Sequence, residues 1–421
     1  MANLVTSTIE DPPDTIDIEV AFYDKTEEES LKKSELSNIF NKMPSRITVP
    51  TPDFCAYYLY YKLRPLVREF SSHAEVAKKW YQALFEFDGQ VGFGEKSVHA
   101  LSLKGTSTGT IERLGEAVGL SVASNLHGLH QADWARIPKG NTKTADFRRN
   151  IASDSVHIIE LENKGSIATS VAMKSPSISK HKNSIKEKKQ EIRANASEKT
   201  VMYGTIAVLD DQTNSVARCW LVDPPSSALD DPRQFKILSR LEYISELISL
   251  LGPRSTLAAS LQTRMSSLST LPDITPLDRV SLRRGNGDEY TYEANTIDDH
   301  NPWFAGKTVV TDRSAGGQIN MVRPDMMFFI GIREELVVYA SQQNFDEIAS
   351  YGFKSESVTK TLACVVPKGR FDSTFDRYLD ISKVNLRKFG AYVRFQIPAL
   401  LHYTQSGLVF GAVEVPEAWR K

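Results

Sequence analysis

The sequence predicts a mixed α/β protein, α+β taken as a whole, and three observations carry that prediction. Apolar residues recur at helical spacing in several stretches, as at Ile111, Leu114, Val118 and Val122. Elsewhere they alternate or run unbroken over strand length, as in residues 201–210. Between residues 106 and 212 the two patterns follow one another as helix, three strands, helix, strand. A chain of 421 residues ordinarily holds two to three domains. We expect an N-terminal arm and helical region over 1–100, a core over 101–225 and a C-terminal α+β domain over 226–421.

Composition narrows the class. With 41% hydrophobic and 24% charged residues there is ample material for a core, and no run of about 18 apolar residues predicts a membrane span. The first residues lack the basic-then-apolar pattern of a secretory signal. Cys55, Cys219 and Cys364 are an odd count without a Cys-x-x-Cys pair, so a reduced, cytoplasmic protein without structural zinc is expected. A net charge of -1 means that any nucleic-acid binding must rest on a local patch.

Taken in order, residues 1–30 hold nine acids and one base. They read as an extended or edge-strand arm, with the alternative of an acidic cover over a basic groove. Residues 51–70 and 72–87 read as helices, the second with Val76, Trp80, Leu84 and Phe87 on one stripe. Tyr57, Tyr58, Tyr60 and Tyr61 fit helix packing better than base stacking. Asp88-Gly-Gln-Val-Gly-Phe-Gly reads as a loop and domain joint. In the helix that opens the core, Gly115 and Gly119 weaken helix propensity, which close packing against a sheet would explain. His127 and His130, at the end of that helix, read as cap and packing residues.

Residues 144–166 carry the chemistry. On the strand that begins near His157, Ile158, Glu160, Glu162 and Lys164 fall on one face, and His157, Ile159, Leu161 and Asn163 on the other. Carboxylates and an ammonium following two isoleucines imply that this strand end opens into a polar site. Asp146, sixteen residues before Glu162, falls in a neighbouring short strand. An acid on one strand and Glu-x-Lys on the next supply what a Mg2+-dependent phosphodiesterase needs: one or two carboxylates for a hard cation and an ammonium for the metal-bound water or the charge on the phosphate.

Ala145-Asp146 followed by Glu162-Asn163-Lys164, in this order of elements, resembles the PD-(D/E)xK nuclease superfamily over about residues 106–212. Ala145 stands where that family has proline. The resemblance implies a restriction-endonuclease-like αβββαβ core, with Asp146 and Glu162 holding Mg2+ (or Mn2+ in its place) and Lys164 assisting catalysis. It also implies a further acid on the first helix, which matches Glu116, with Glu112 as the alternate. Glu160 shares the active face as a second ligand or a partner of a buried base, and Asp154 reads as a turn residue.

From Lys174 to Lys199 eight bases face three acids. Lys182, Lys186, Lys189 and Arg193 share one helical face suited to tracking a phosphate backbone. Beyond residue 225, residues 231–268 predict two helices broken at Gly252-Pro253. Residues 279–285 read as a basic loop, 314–318 as a loop, and 326–332, 335–340, 362–366 and 407–415 as strands. Arg323-Pro-Asp325 has no Glu-x-Lys in register, so no second catalytic centre is expected. This region reads as a specificity, partner-binding or dimerisation module.

The sequence therefore predicts a Mg2+-dependent deoxyribonuclease. The resemblance suggests bacterial restriction or anti-phage defence, with a homodimer or higher homo-oligomer and a partner protein at the C-terminal domain. The rivals are a nuclease of RNA or of structured DNA in repair or mobile-element chemistry, and a non-catalytic nucleic-acid-binding scaffold.

Overall fold

A computed structural model describes residues 4, 12–34, 36–63, 73–102, 104–137, 147–149, 158–168, 175–195, 200–212, 215–222, 232–252, 256–270, 274, 276, 279–283, 289–293, 309–311, 315–368, 378–379, 387–389 and 392–420. Helices and strands are both abundant, as a mixed α/β chain requires. Two compact units divide them: residues 9–61 with 86–239, and Leu4 and 62–85 with 240–421. Among the described residues no helix is long and apolar enough to cross a membrane.

In the first unit the chain runs through β1 (Thr15–Phe22), α1 (Lys25–Lys33), α2 (Ser37–Phe40), β2 (Arg46–Pro50) and α3 (Thr51–Leu63). After α4 (His73–Gln90), whose residues up to Phe85 belong to the second unit, come β3 (Val91–Phe93), β4 (Val98–Ala100) and α5 (Thr108–His127). The remainder is β5 (Trp134–Arg136), β6 (Phe147–Arg149), β7 (Ile158–Ile167), α6 (Pro176–Asn195), β8 (Thr200–Leu209) and β9 (Ala217–Val222). From α5 to β8 this is helix, three strands, helix, strand, the order read from the sequence.

Seven strands form one sheet in the order β2-β1-β9-β8-β7-β6-β5. β5, β6 and β7 are an antiparallel meander, while β7 and β8 run parallel with α6 between them. Helices cover both faces. α5 starts at Ser107, whose hydroxyl accepts from the Thr110 amide, and ends at left-handed Gly128. Its Gly115 lies against the Gly165 backbone of β7, and its Gly119 against the Asn163 and Thr205 side chains. A Cβ at either position would overlap those atoms, so the two glycines let helix and sheet close. On the opposite face, Ile178 and Ile185 of α6 join Ile206, Val208, Trp220 and Val222 in one apolar cluster.

The N-terminal segment departs from the expected loose or edge arm. β1 is an inner strand, antiparallel to β2 and parallel to β9, because Ile16, Ile18 and Val20 alternate toward the core. The expected border near residue 100 therefore lies inside a unit whose sheet takes strands from both sides of it. The expected loop at Asp88 is helical to Gln90 and then enters β3. Tyr57 and Tyr58 are buried, as packing requires.

The second unit takes most of its residues after α7 (Pro232–Leu251), α8 (Thr256–Thr270) and the hairpin of β10 (Arg279–Arg283) and β11 (Glu289–Glu293). The break between α7 and α8 falls where Gly252-Pro253 places it. β12 (Val309–Thr311), β13 (Ala315–Arg323), β14 (Met326–Arg333), α9 (Glu334–Ser341), α10 (Phe345–Ser350), β15 (Glu356–Pro367), β16 (Arg387–Phe389), β17 (Tyr392–Tyr403) and β18 (Leu408–Glu414) follow. Strands β12, β13, β14, β18, β17 and β15 pair antiparallel in a closed ring, because β15 bonds both β12 and β17. This is a six-stranded barrel filled by Ile319, Met327, Phe329, Leu362, Phe395, Ile397, Leu401 and Val413. Closure leaves no room for a side chain at Gly317 or Gly411, where a Cβ would overlap the Ile330 and Leu400 carbonyl oxygens.

Three expectations fail in this unit. Residues 335–340 are helix α9 rather than a strand; the β-branched run misleads, but Leu336, Val337 and Ala340 bury one helical stripe. The expected loops at 279–285 and 314–318 contain strand β10 and the start of strand β13. Their ladder partners, β11 and β14, supply the backbone bonds that composition does not reveal.

Candidate functional site

The site is built on β7. Parallel register sets Glu162 opposite Gly204 of β8, so both face α6, whose Ile185 fills the space over Gly204. Without a side chain at Gly204, α6 approaches closely enough for Lys188, one turn beyond Ile185, to reach the strand. Glu162 is fully buried. Its Oε1 accepts from Lys164 Nζ at 2.5 Å and its Oε2 from Lys188 Nζ at 2.6 Å. Both lysine side chains are partly exposed, at 26% and 21%. A carboxylate cut off from water stays ionised only when compensated, and two ammonium groups provide that.

Around this core, strand alternation puts Glu160, itself buried, on the face of Glu162. His181 of α6 lies beside Lys164 and the Gly165 backbone. Burial, then the Lys164 charge, hold its imidazole below the ordinary histidine range, against a backbone hydrogen bond with Gly165 that acts the other way. On the α5 face, Thr205 Oγ1 donates to Asn163 Oδ1 at 2.5 Å, fixing the residue between Glu162 and Lys164.

The structure thus joins Glu162 and Lys164 and adds Lys188 and His181, which the sequence reading did not single out. The signal for Lys188 was its place in the basic helix, but counting charge does not show which base turns inward. Asp146 lies outside the described residues, immediately before β6; Phe147 of β6 pairs with Leu161 of β7. Glu116 is buried on α5 and Glu112 is exposed. α5 packs on the face of β7 that carries Asn163 and Gly165.

The basic helical face requires a correction. Lys182 pairs with Asp24 and, at 3.1 Å, with Glu27, while Lys186 pairs with Glu27 at 2.6 Å. Lys182 also lies over the Tyr23 ring. The first two positions of the expected phosphate-tracking face are therefore engaged by N-terminal acids. Acids and bases so far apart in the chain are invisible to one another in a local charge count. Burial raises the Asp24 carboxyl, but the Lys182 hydrogen bond, the Glu27 amide and both lysine charges leave it below its usual range. The side chains of Lys189 and Arg193 lie outside the described residues. His127 and His130 are structural: His127 Nε2 is 2.9 Å from Tyr203 Oη, and His130 Nδ1 caps a short turn by accepting from the Ala132 amide.

Carboxylate oxygens suit a hard divalent ion, and Glu162 with Glu160, both buried on the inner strand β7, fits that chemistry in kind. Among the described residues no group of three His, Cys, Asp or Glu is placed to hold a metal. Comparison with protein-family models, with curated proteins and with solved structures returns no match.

Proposed function

We propose that the chain is a Mg2+-dependent nuclease hydrolysing phosphodiester bonds, with DNA as substrate, built on a PD-(D/E)xK-like core. The observation that carries this reading is the buried Glu162 carboxylate in contact with Lys164 two residues along the same strand. The order α5, β5, β6, β7, α6, β8 supports it, as does the position of Asp146 just before a strand that pairs with β7. In this reading Asp146 and Glu162 hold the ion, with Glu160 as the additional carboxylate on that face. The ion supplies an activated water and neutralises charge on the phosphate. Lys164 orients that water or offsets the charge of the pentavalent phosphorus. The restriction or anti-phage role is an analogy with the superfamily.

The test is cleavage of plasmid, single-stranded DNA and RNA with Mg2+ and then EDTA. Cleavage should require Mg2+ and fall by at least about 100-fold in Lys164→Ala and Glu162→Gln. RNA cleavage alone moves the substrate to the rival class. Both oxygens of Glu162 being engaged by lysines favours the second reading, a nucleic-acid-binding scaffold without catalysis. That reading predicts no metal-dependent cleavage of any substrate, and binding unchanged in Lys164→Ala.

A further inference from the structure

We propose that Lys188 is a place-holding cation: its ammonium occupies the Glu162 oxygen that a divalent ion takes, so ion binding and the Lys188–Glu162 contact exclude one another. This inference rests on the metal-dependent reading of the site. Glu162 is fully buried, and its two oxygens divide between Lys164 at 2.5 Å and Lys188 at 2.6 Å. The two lysines are held differently. Lys164 is anchored two residues from Glu162 on the same face of β7, so its ammonium starts beside the carboxylate. Lys188 is anchored on a separate element, α6, and reaches Glu162 only across the gap between helix and strand.

An ion approaching Glu162 without displacing Lys188 would make a third cationic group around one carboxylate. Exchange of the singly charged ammonium for a doubly charged ion avoids that repulsion and releases Lys188 toward solvent. Until the exchange, Lys188 shares with Lys164 the compensation of the buried Glu162 charge and holds Oε2 toward α6. Lys188 is thus a positioning residue, and Lys164 remains the basic group beside the reacting phosphate.

The experiment measures Mn2+ binding to the full chain by calorimetry and electron paramagnetic resonance. Lys188→Met should lower the dissociation constant by about tenfold or more, the scale of one charge-assisted hydrogen bond. Lys188→Arg, which restores a cation, should return it toward wild type. Lys180→Met, an exposed position on the same helix, should leave it unchanged, and Glu162→Gln should abolish binding. Wild-type affinity in a folded Lys188→Met overturns the inference and leaves the metal reading standing. No Mn2+ binding in any of these proteins overturns both. A measurement on the unaltered chain covers the case in which Lys188→Met fails to fold. The Nζ resonance of Lys188 should shift on titration with Mg2+, and an unmoved resonance at saturation overturns the inference.

Discussion

At Glu162 the decisive quantity is burial. The carboxylate has no solvent contact, so its ionised form depends on Lys164 and Lys188. Removing one lysine leaves the other in place. Removing both takes two charge-assisted contacts from a buried carboxylate, and breaking a buried pair costs about 3–5 kcal/mol in closed interiors. The partial exposure of the lysines, 26% and 21%, argues for the lower end. We predict that Lys164→Met with Lys188→Met destabilises the first unit by about 3 kcal/mol in urea unfolding. Adding Glu162→Gln should restore more than half of that loss; no recovery would show that the lysines act through packing of their methylenes. The Glu-x-Lys pair was legible in the sequence because strand alternation alone puts Glu162 and Lys164 on one face. Lys188 was legible only as one of eight bases, since its inward direction is set by the packing of Ile185 over Gly204.

Among the elements, α5 shows how a poor local choice becomes a good tertiary one. Gly115 and Gly119 weaken the helix but admit the β7 backbone and the Asn163 and Thr205 side chains. Gly109, in the first turn, has only the end of the Arg113 side chain within 4 Å of a Cβ. The same substitution should therefore have opposite signs at the two positions. Gly109→Ala should stabilise by about 0.5–1 kcal/mol through chain entropy and propensity. Gly115→Ala should destabilise by about 2–3 kcal/mol, because backbone overlap is not relieved by rotating a side chain. Equal effects in denaturant titrations would contradict the packing account. The helical stripe of α7 was likewise readable from periodicity, whereas α9 was not. Its Leu-Val-Val-Tyr run satisfies a strand pattern, and only its burial pattern in the fold distinguishes the two.

Across the whole molecule the pH dependence of stability has an identifiable contributor in the barrel. His402 of β17 is fully buried, and burial pushes its imidazole down to about 4, against the hydrogen bond with the Leu4 carbonyl. Its Nδ1 lies 2.9 Å from Ser357 Oγ. The unfolded chain titrates near 6.5, so between about 6.5 and 4 it binds the proton that the folded state refuses. The stability from this group is complete above the unfolded value and is lost as pH falls toward 4. Between pH 7 and 4.5 wild type should lose about 2–3 kcal/mol more than His402→Gln in parallel denaturant titrations; parallel loss in both proteins would remove His402 as the cause. The sequence by itself determined the local patterns: the helix, three-strand, helix, strand order, the Glu162 and Lys164 face, and the α7–α8 break, because periodicity and turn residues act over a few positions. Only the tertiary structure decided that β1 lies inside the sheet, that Asp24 and Glu27 engage the basic helix, that six strands close into a barrel and that Lys188 meets Glu162. Each of those depends on which distant segments share a sheet or a helix face, and the free energy that selects them comes from burial and pairing between residues far apart in the chain.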